Sequence, residues 1–270
     1  MTTQSALAAA AALVALAFAM CTFERWLAKG RRHELAWSIS LLMFCVGAMA
    51  LWYGAASGWT GFTFRLFYLF GAVVDVPFLA LGTVYLLGGP RRGEVWAAVV
   101  GLLSAFAAGV VLVAPLRRPV PAHRLPQGSE VFGVLPRVLA AVASGVGATV
   151  VLGGAVWSAW RFWRARRTAG GRGSAPAAAR LAGANVLIAA GTLVLGAGGL
   201  FNSVLDAMEA FAVTLLVGIA LLFGGFVAAT TAGAGARARL VDAVAAPASD
   251  VPDVATGAAA HAGAESLGHS

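Results

Sequence analysis

Residues 62 to 88 read FTFRLFYLFGAVVDVPFLALGTVYLLG, a nearly unbroken apolar run with Arg65 near its start and Asp75 near its centre. A helix that crosses the roughly 30 Å hydrocarbon core of a bilayer needs about 20 mostly apolar residues. The run exceeds that length and lacks the alternation of a membrane β-strand. It therefore predicts a membrane-spanning helix.

The same pattern recurs along the whole chain. Apolar residues make up 60% of the 270 positions and charged residues 11%, whereas soluble proteins are about a quarter charged. Spanning length is reached by residues 5–27, 35–56, 62–88, 94–115, 134–160, 181–200 and 204–229. The predicted fold is an all-α polytopic transmembrane bundle of seven helices in residues 1–230, followed by a disordered cytoplasmic tail at 231–270.

The predicted orientation depends on Lys and Arg, which are enriched in cytoplasmic connections. Alternate connections carry fourteen of them on one side and five on the other. This bias places the N-terminus outside the cytoplasm and the C-terminus inside. The loop at 116–133 dissents, because Arg117, Arg118 and Arg124 fall on the outer side. Its prolines predict an extended surface excursion.

The first span is expected to stay in the protein, since no Lys or Arg precedes it and a basic cluster follows it, the reverse of a secretory signal. Glycines within the spans predict close helix packing, as do Ala141 with Gly145 and Ala220 with Gly224 at small-xxx-small spacing. The glycines are Gly145, Gly147, Gly153, Gly154, Gly196, Gly198 and Gly199.

The sequence predicts no cofactor, no metal site and no enzyme activity. A retinal protein needs a lysine within a span, but the only lysine is Lys29, at the inner end of the first span. No histidine lies within a predicted span to ligate haem or to act as a base. His33 and Glu34 resemble the start of a zinc-protease motif, but Trp37 stands where its second histidine belongs.

The expected partners are the lipid bilayer and either another protein or a second copy of the chain. The net charge of +8 does not predict a nucleic acid, because the basic residues form short clusters between apolar runs. The sequence does not identify a small-molecule ligand.

Asp75 is the only one of eleven acidic residues near the centre of a predicted span. A charged Asp there costs about 2.5 to 3.5 kcal/mol on insertion scales, so it should face the interior, be protonated or have a partner. Tyr68 shares its helical face, and Pro77 removes a backbone N–H beside it. These residues predict a kinked, polar position at mid-membrane.

Two interpretations of Asp75 stay open. In the functional one, it is a proton-binding or substrate-binding carboxyl group in a carrier cavity or a sensor pocket. In the structural one, it clamps its helix to a neighbour, through Asn185 or Ser144. No second ionisable group at the same depth decides between them.

Asp206 and Glu209 are a second candidate site, three residues apart near the outer end of the last predicted span. They share a helical face, as a cation or amine site requires. The segment from Ser203 to Asp206 also fits a capping box, and acids in a first turn complement the helix dipole. The cap is the favoured interpretation.

The segments FRLFYLFGAVVDVPFLALGTVYLL at 64–87 and SEVFGVLPRVL at 129–139 resemble an uncharacterised family of multi-pass membrane proteins from GC-rich actinobacteria. The resemblance covers most of residues 1–230 and implies a bacterial plasma membrane, but no activity or site residues. The layout is also similar to the seven-helix sensor regions that precede bacterial histidine kinases.

Two functions fit these observations. The first is a membrane-embedded sensory, binding or scaffold module that acts through a partner protein. The second is a small solute carrier, proton-coupled through Asp75. The first is favoured, because the sequence has neither repeated halves nor a second intramembrane charge.

Overall fold

The computed structural model of the chain describes residues 3–168, 175–204 and 208–245, and the regular structure in these ranges is entirely helical. The helices are α1 (Thr3–Lys29), α2 (Arg32–Ser57), α3 (Gly61–Tyr68), a π-helical segment (Leu69–Val74), α4 (Asp75–Val113), α5 (Gly128–Val131), α6 (Val134–Thr168), α7 (Ala175–Val204) and α8 (Met208–Ala245). The predicted all-α class is confirmed.

Six helical stretches within the described residues are long and apolar enough to cross a membrane. They are Thr3–Lys29, Arg32–Ser57, Gly61–Val113, Val134–Arg161, Ala179–Gly198 and Ala210–Thr231. The chain is therefore a helical membrane protein. The third and fourth predicted spans both fall within the stretch Gly61–Val113.

A break at Gly89 divides α4 into two arms. Gly89 has φ 79° and ψ 175°, a left-handed backbone that favours glycine, and Pro90 opens the second arm, where a proline is tolerated. The Arg65 guanidinium bonds the carbonyl groups of Val111 and Ala114 at the far end of that arm. The Tyr85 ring packs directly on Gly93. These contacts pair the stretch before Gly89 with the stretch after it in antiparallel order.

The helices pack through two apolar clusters. One joins α1, α2 and α8 through Phe18, Leu41 and Phe44 with Ile219 and Phe226. The other joins α3, the π-helical segment, the second arm of α4 and the loop at 114–133. In addition, α6 packs against α4 and α7. The predicted packing at glycines is met in part. Gly147, Gly154 and Gly198 lie tightly against residues of a neighbouring helix, whereas open space lies beside Gly145, Gly153, Gly196 and Gly224.

The loop at 114–133 differs from the predicted surface excursion. Leu125, Val131 and Phe132 are fully buried, and the Phe132 ring stacks on Phe64 at 5.2 Å. The Trp59 amide N–H donates to the Ala122 carbonyl at 3.0 Å. The loop therefore packs as a cap over the start of α3, because its apolar side chains are buried there in spite of the prolines.

The predicted boundary at residue 230 falls within α8, which continues to Ala245. Contacts within the chain separate a unit at Met1–Ala232 from one at Gly233–Ser270. Residues 246–270 lie outside the described residues, so a disordered tail stays a prediction.

Candidate functional site

The helix that carries Asp75 changes its hydrogen-bond pattern just before this residue. Leu69–Val74 forms a π-helix and α4 begins at Asp75. Pro77 follows in the first turn of α4, and because α4 continues the π-helical segment without a break, its missing N–H leaves a carbonyl group of that segment without its helical donor. Short π-helical segments are frequent at functional sites, so this irregularity marks the position predicted at mid-membrane.

The Asp75 side chain is enclosed by protein. Its residue is 6% exposed, and its carboxyl group accepts hydrogen bonds from the backbone N–H groups of Val76 and of Asp75 itself. The Oδ1 atom has no hydrogen-bond partner. No salt bridge among the described residues involves this carboxyl group. Asp75 is thus a buried acid in which one carboxyl oxygen lacks a hydrogen-bond partner.

Three side chains from neighbouring helices bond the backbone around Asp75. From α2, Trp37 Nε1 donates to the Leu79 carbonyl at 3.2 Å and Ser40 Oγ donates to the Asp75 carbonyl at 2.8 Å. From α6, Ser144 Oγ donates to the Ala72 carbonyl at 2.5 Å. The segment is therefore held from two sides.

The Ser144 bond has a local cause in the sequence. The Ala72 carbonyl would accept from Val76 in an α-helical pattern and from Pro77 in a π-helical one. The Val76 N–H also bonds the Asp75 carboxyl group, and Pro77 has no N–H. Ser144 supplies a donor at the point where the helix loses one.

Glycines bring the neighbouring backbones close to this segment. A Cβ atom at Gly47 of α2 would lie 3.0 Å from the Gly71 nitrogen, and one at Gly147 of α6 would lie 3.1 Å from the Val76 carbonyl oxygen. These distances are below ordinary van der Waals contact. The Asp75 region is therefore tightly packed between α2 and α6.

Tyr68 lies away from Asp75, under the loop at 114–133. Its ring centroid is 4.9 Å from that of Phe132 and 5.8 Å from that of Phe64, and the ring packs on Gly128. Two helical turns of about 5.4 Å each separate it from Asp75 along the helix axis. The π-helical segment between them changes the α-helical spacing on which the predicted shared face rested, and Tyr68 belongs to the aromatic cluster beneath the loop.

Asn185 joins α7 to α6 and does not reach the Asp75 segment. Its Nδ2 donates to Ser158 Oγ at 3.1 Å and to the Leu181 carbonyl at 3.0 Å. The predicted clamp from Asn185 to the helix of Asp75 is not found, whereas Ser144 does hold this helix to α6. Asn185 binds Ser158, and Ser144 binds a backbone carbonyl instead of the carboxyl group.

Asp206 and Glu209 are the second predicted site. Asp206 lies outside the described residues, and Glu209 lies in α8 without a described side chain. Both the site and the cap at this position stay predictions. Within the described residues, His, Cys, Asp and Glu form no group of three that could hold a metal ion.

A second buried acid, Glu34, was missed because the sequence places it in a connection. Glu34 is 1% exposed, and its Oε1 lies 2.9 Å from Arg25 Nη2. Arg25 also stacks over the Phe226 ring at 5.3 Å. Gly30, with φ 63°, lies in the turn that brings the two charges together. A glycine between a basic and an acidic residue is the sequence feature that could have predicted this ion pair.

No protein-family model, curated protein or solved structure matches the chain.

Proposed function

We propose that the chain is a seven-span module of a bacterial plasma membrane, without enzyme activity, that binds or senses a signal within its bundle and acts through a partner protein or a second copy. The N-terminus lies outside and the C-terminus lies in the cytoplasm.

The length of the stretch Gly61–Val113 supports seven spans. As one straight helix its 53 residues would extend about 80 Å, far beyond the roughly 30 Å hydrocarbon core. Two antiparallel crossings joined at Gly89 fit that core. This arrangement also accounts for the contacts of Arg65 with the end of α4.

The partners of the outer arginines support the orientation. Arg65 bonds two carbonyl groups, and Arg124 forms a 2.8 Å salt bridge with Glu130. Both side chains bond atoms of the loop at 114–133 or of the helix end beside it, which accounts for two of the positive charges that occur against the positive-inside bias.

The hydrogen bonds inside the bundle favour a binding or sensing module over a carrier. Trp37, Ser40, Ser144 and Asn185 all donate to atoms of another helix. Polar side chains that line a transport path need to stay free for the substrate, whereas these hold helices together. A fixed interior around one acid suits binding or sensing.

A solute carrier, proton-coupled through Asp75, is the second candidate. The observation that favours it is the buried Oδ1 atom without a partner, since intramembrane acids mark proton relays in transporters. No repeated halves accompany it.

Proteoliposomes with an imposed proton gradient separate the two candidates. We expect no gradient-driven solute uptake from pools of amino acids, sugars and inorganic ions, for wild type or Asp75→Asn. Crosslinking in membranes of the producing bacterium should yield one recurrent protein adduct, or a dimer of this chain. Uptake that Asp75→Asn abolishes would replace the module by the carrier.

A further inference from the structure

We propose that Asp75 is a proton-binding site, held as the neutral acid with its proton on Oδ1, and that release of this proton is coupled to the π-helical segment before it. The inference deepens the proposed function by naming the ligand of the Asp75 site, and it rests on placement of the chain in a membrane.

The first step is the asymmetry of the carboxyl group. Backbone N–H groups bond the carboxyl group, while Oδ1 is buried without any partner. An unpaired buried charge costs far more than one unmade hydrogen bond of a neutral group, which costs about 1 to 3 kcal/mol. The neutral acid is therefore the form that this enclosure accommodates.

The second step concerns the charged and titratable groups on the packed helices, all of which are engaged elsewhere or lie near the ends. On α2, Glu34 pairs with Arg25, and Cys45 belongs to the core with α1 and α8. On its own helix, Tyr85 bonds Arg32 and Glu94. His33, at the start of α2, packs on the Trp37 ring, and Arg91 and Arg92 follow the break at Gly89. The remaining described groups are Arg65 and Tyr68 toward the outer loop, Tyr53 in the outer part of α2, and Arg137, Arg161 and Arg164 near the ends of the α6 span.

The third step is the size of the ligand. The backbones of α2 and α6 approach this segment so closely that added Cβ atoms at Gly47 and Gly147 would be crowded. An organic cation needs a cavity lined by several groups. A proton needs none, and it alone neutralises the acid without moving either helix.

The fourth step is the coupling to the backbone. When Asp75 loses its proton to water, the carboxylate left behind needs donors. The hydroxyl groups of Ser40 and Ser144 already bond the carbonyl groups of Asp75 and Ala72. Turning either hydroxyl toward the carboxylate frees a carbonyl of the irregular segment. Proton loss therefore favours another hydrogen-bond register there, and π-helical bulges shift by single residues.

Infrared spectroscopy of the full chain in liposomes at neutral pH tests this inference. Aspartate labelled with ¹³C at the carboxyl carbon marks the carbonyl stretch of a protonated aspartic acid. We expect this band in wild type and its loss in Asp75→Asn. Glu34→Gln is the matched control: it removes a buried carboxylate that is paired with Arg25, so the acid band should persist.

Absence of the acid band from folded, labelled wild type would overturn the inference and show that Asp75 is held as a carboxylate. Asp75→Glu covers the case in which Asp75→Asn fails to fold, because it should move the acid band from aspartate to glutamate. The uptake assay is independent of this readout, so failure of the proposed function and failure of the proton site are distinguishable.

Discussion

Arg25 and Glu34 differ in their access to water, and this difference sets the cost of losing each. The Glu34 side chain is 1% exposed and that of Arg25 is 28% exposed. Removing one partner of a buried ion pair leaves the other charge uncompensated, at a cost of about 3 to 5 kcal/mol. The cost should therefore depend on which partner remains.

We expect Arg25→Met to lower the free energy of unfolding by about 3 to 5 kcal/mol, because it leaves a buried carboxylate. Glu34→Gln should cost less, since Arg25 keeps its stacking on Phe226 and some access to water. The double variant should recover part of the loss of Arg25→Met. Unfolding in mixed micelles measures all three, and an equal cost for the two single variants would contradict the expectation.

At the residue scale, sequence reasoning located Asp75 because a lone acid in an apolar run is visible in the sequence. It could not locate Glu34, whose burial depends on the turn at Gly30 and on packing of α8 through Phe226. It also could not supply the partners of Asn185 and Ser144. Such pairs depend on which helices become neighbours.

At the scale of helices, glycine spacing alone did not identify the contact faces. Gly145 faces open space, whereas Gly147, two residues later, meets the backbone of Val76. The two positions lie in the same helix and the same turn, so they form a matched pair for a packing test.

We expect Gly147→Ala to destabilise the protein by about 1 to 3 kcal/mol, because overpacking forces α6 away from the Asp75 segment. Gly145→Ala should cause no loss, since alanine is the better helix former and nothing crowds its Cβ atom. Thermal unfolding in detergent compares the two. Equal stability of both variants would show that α6 does not press on Val76.

The outer loop depends on Arg65, which bonds the end of α4 and stacks over the Phe132 ring. Arg65→Leu should release the loop and speed tryptic cleavage after Arg117, Arg118 and Arg124 by at least about tenfold, as expected when about 1.4 kcal/mol of local stability is lost. Arg137→Leu, at an exposed position on α6, is the control and should leave cleavage unchanged. Mass spectrometry of the fragments measures both rates.

At the scale of the whole molecule, the apolar runs predicted the helical membrane class, because the bilayer fixes both length and composition of a span. The number of helical stretches differed where two predicted spans lie in one stretch, Gly61–Val113. The sequence placed a connection between 88 and 94, and the structure turns at Gly89. Burial of the loop at 114–133 could not be predicted from the sequence, because it depends on contacts with residues of α3.

Cysteine labelling from each side of the membrane tests the seven-span arrangement. In a variant whose native Cys21 and Cys45 are replaced by alanine, single cysteines are introduced as Ala122→Cys, Arg91→Cys and Arg172→Cys. We expect an impermeant maleimide to label position 122 from outside the cell, since Ala122 is exposed in the outer loop. Positions 91 and 172 should react only after permeabilisation.

Position 91 decides the count of spans, because it follows the break at Gly89. If Gly61–Val113 crosses twice, this position lies at the cytoplasmic face, opposite position 122. Labelling of both positions from outside would mean that this stretch does not cross as a hairpin, and the helices after it would reverse their direction. Labelling of position 172 from outside, with position 122 protected, would show that the whole bundle has the opposite orientation. Arg25 and Glu34 would then lie at the outer side of the membrane.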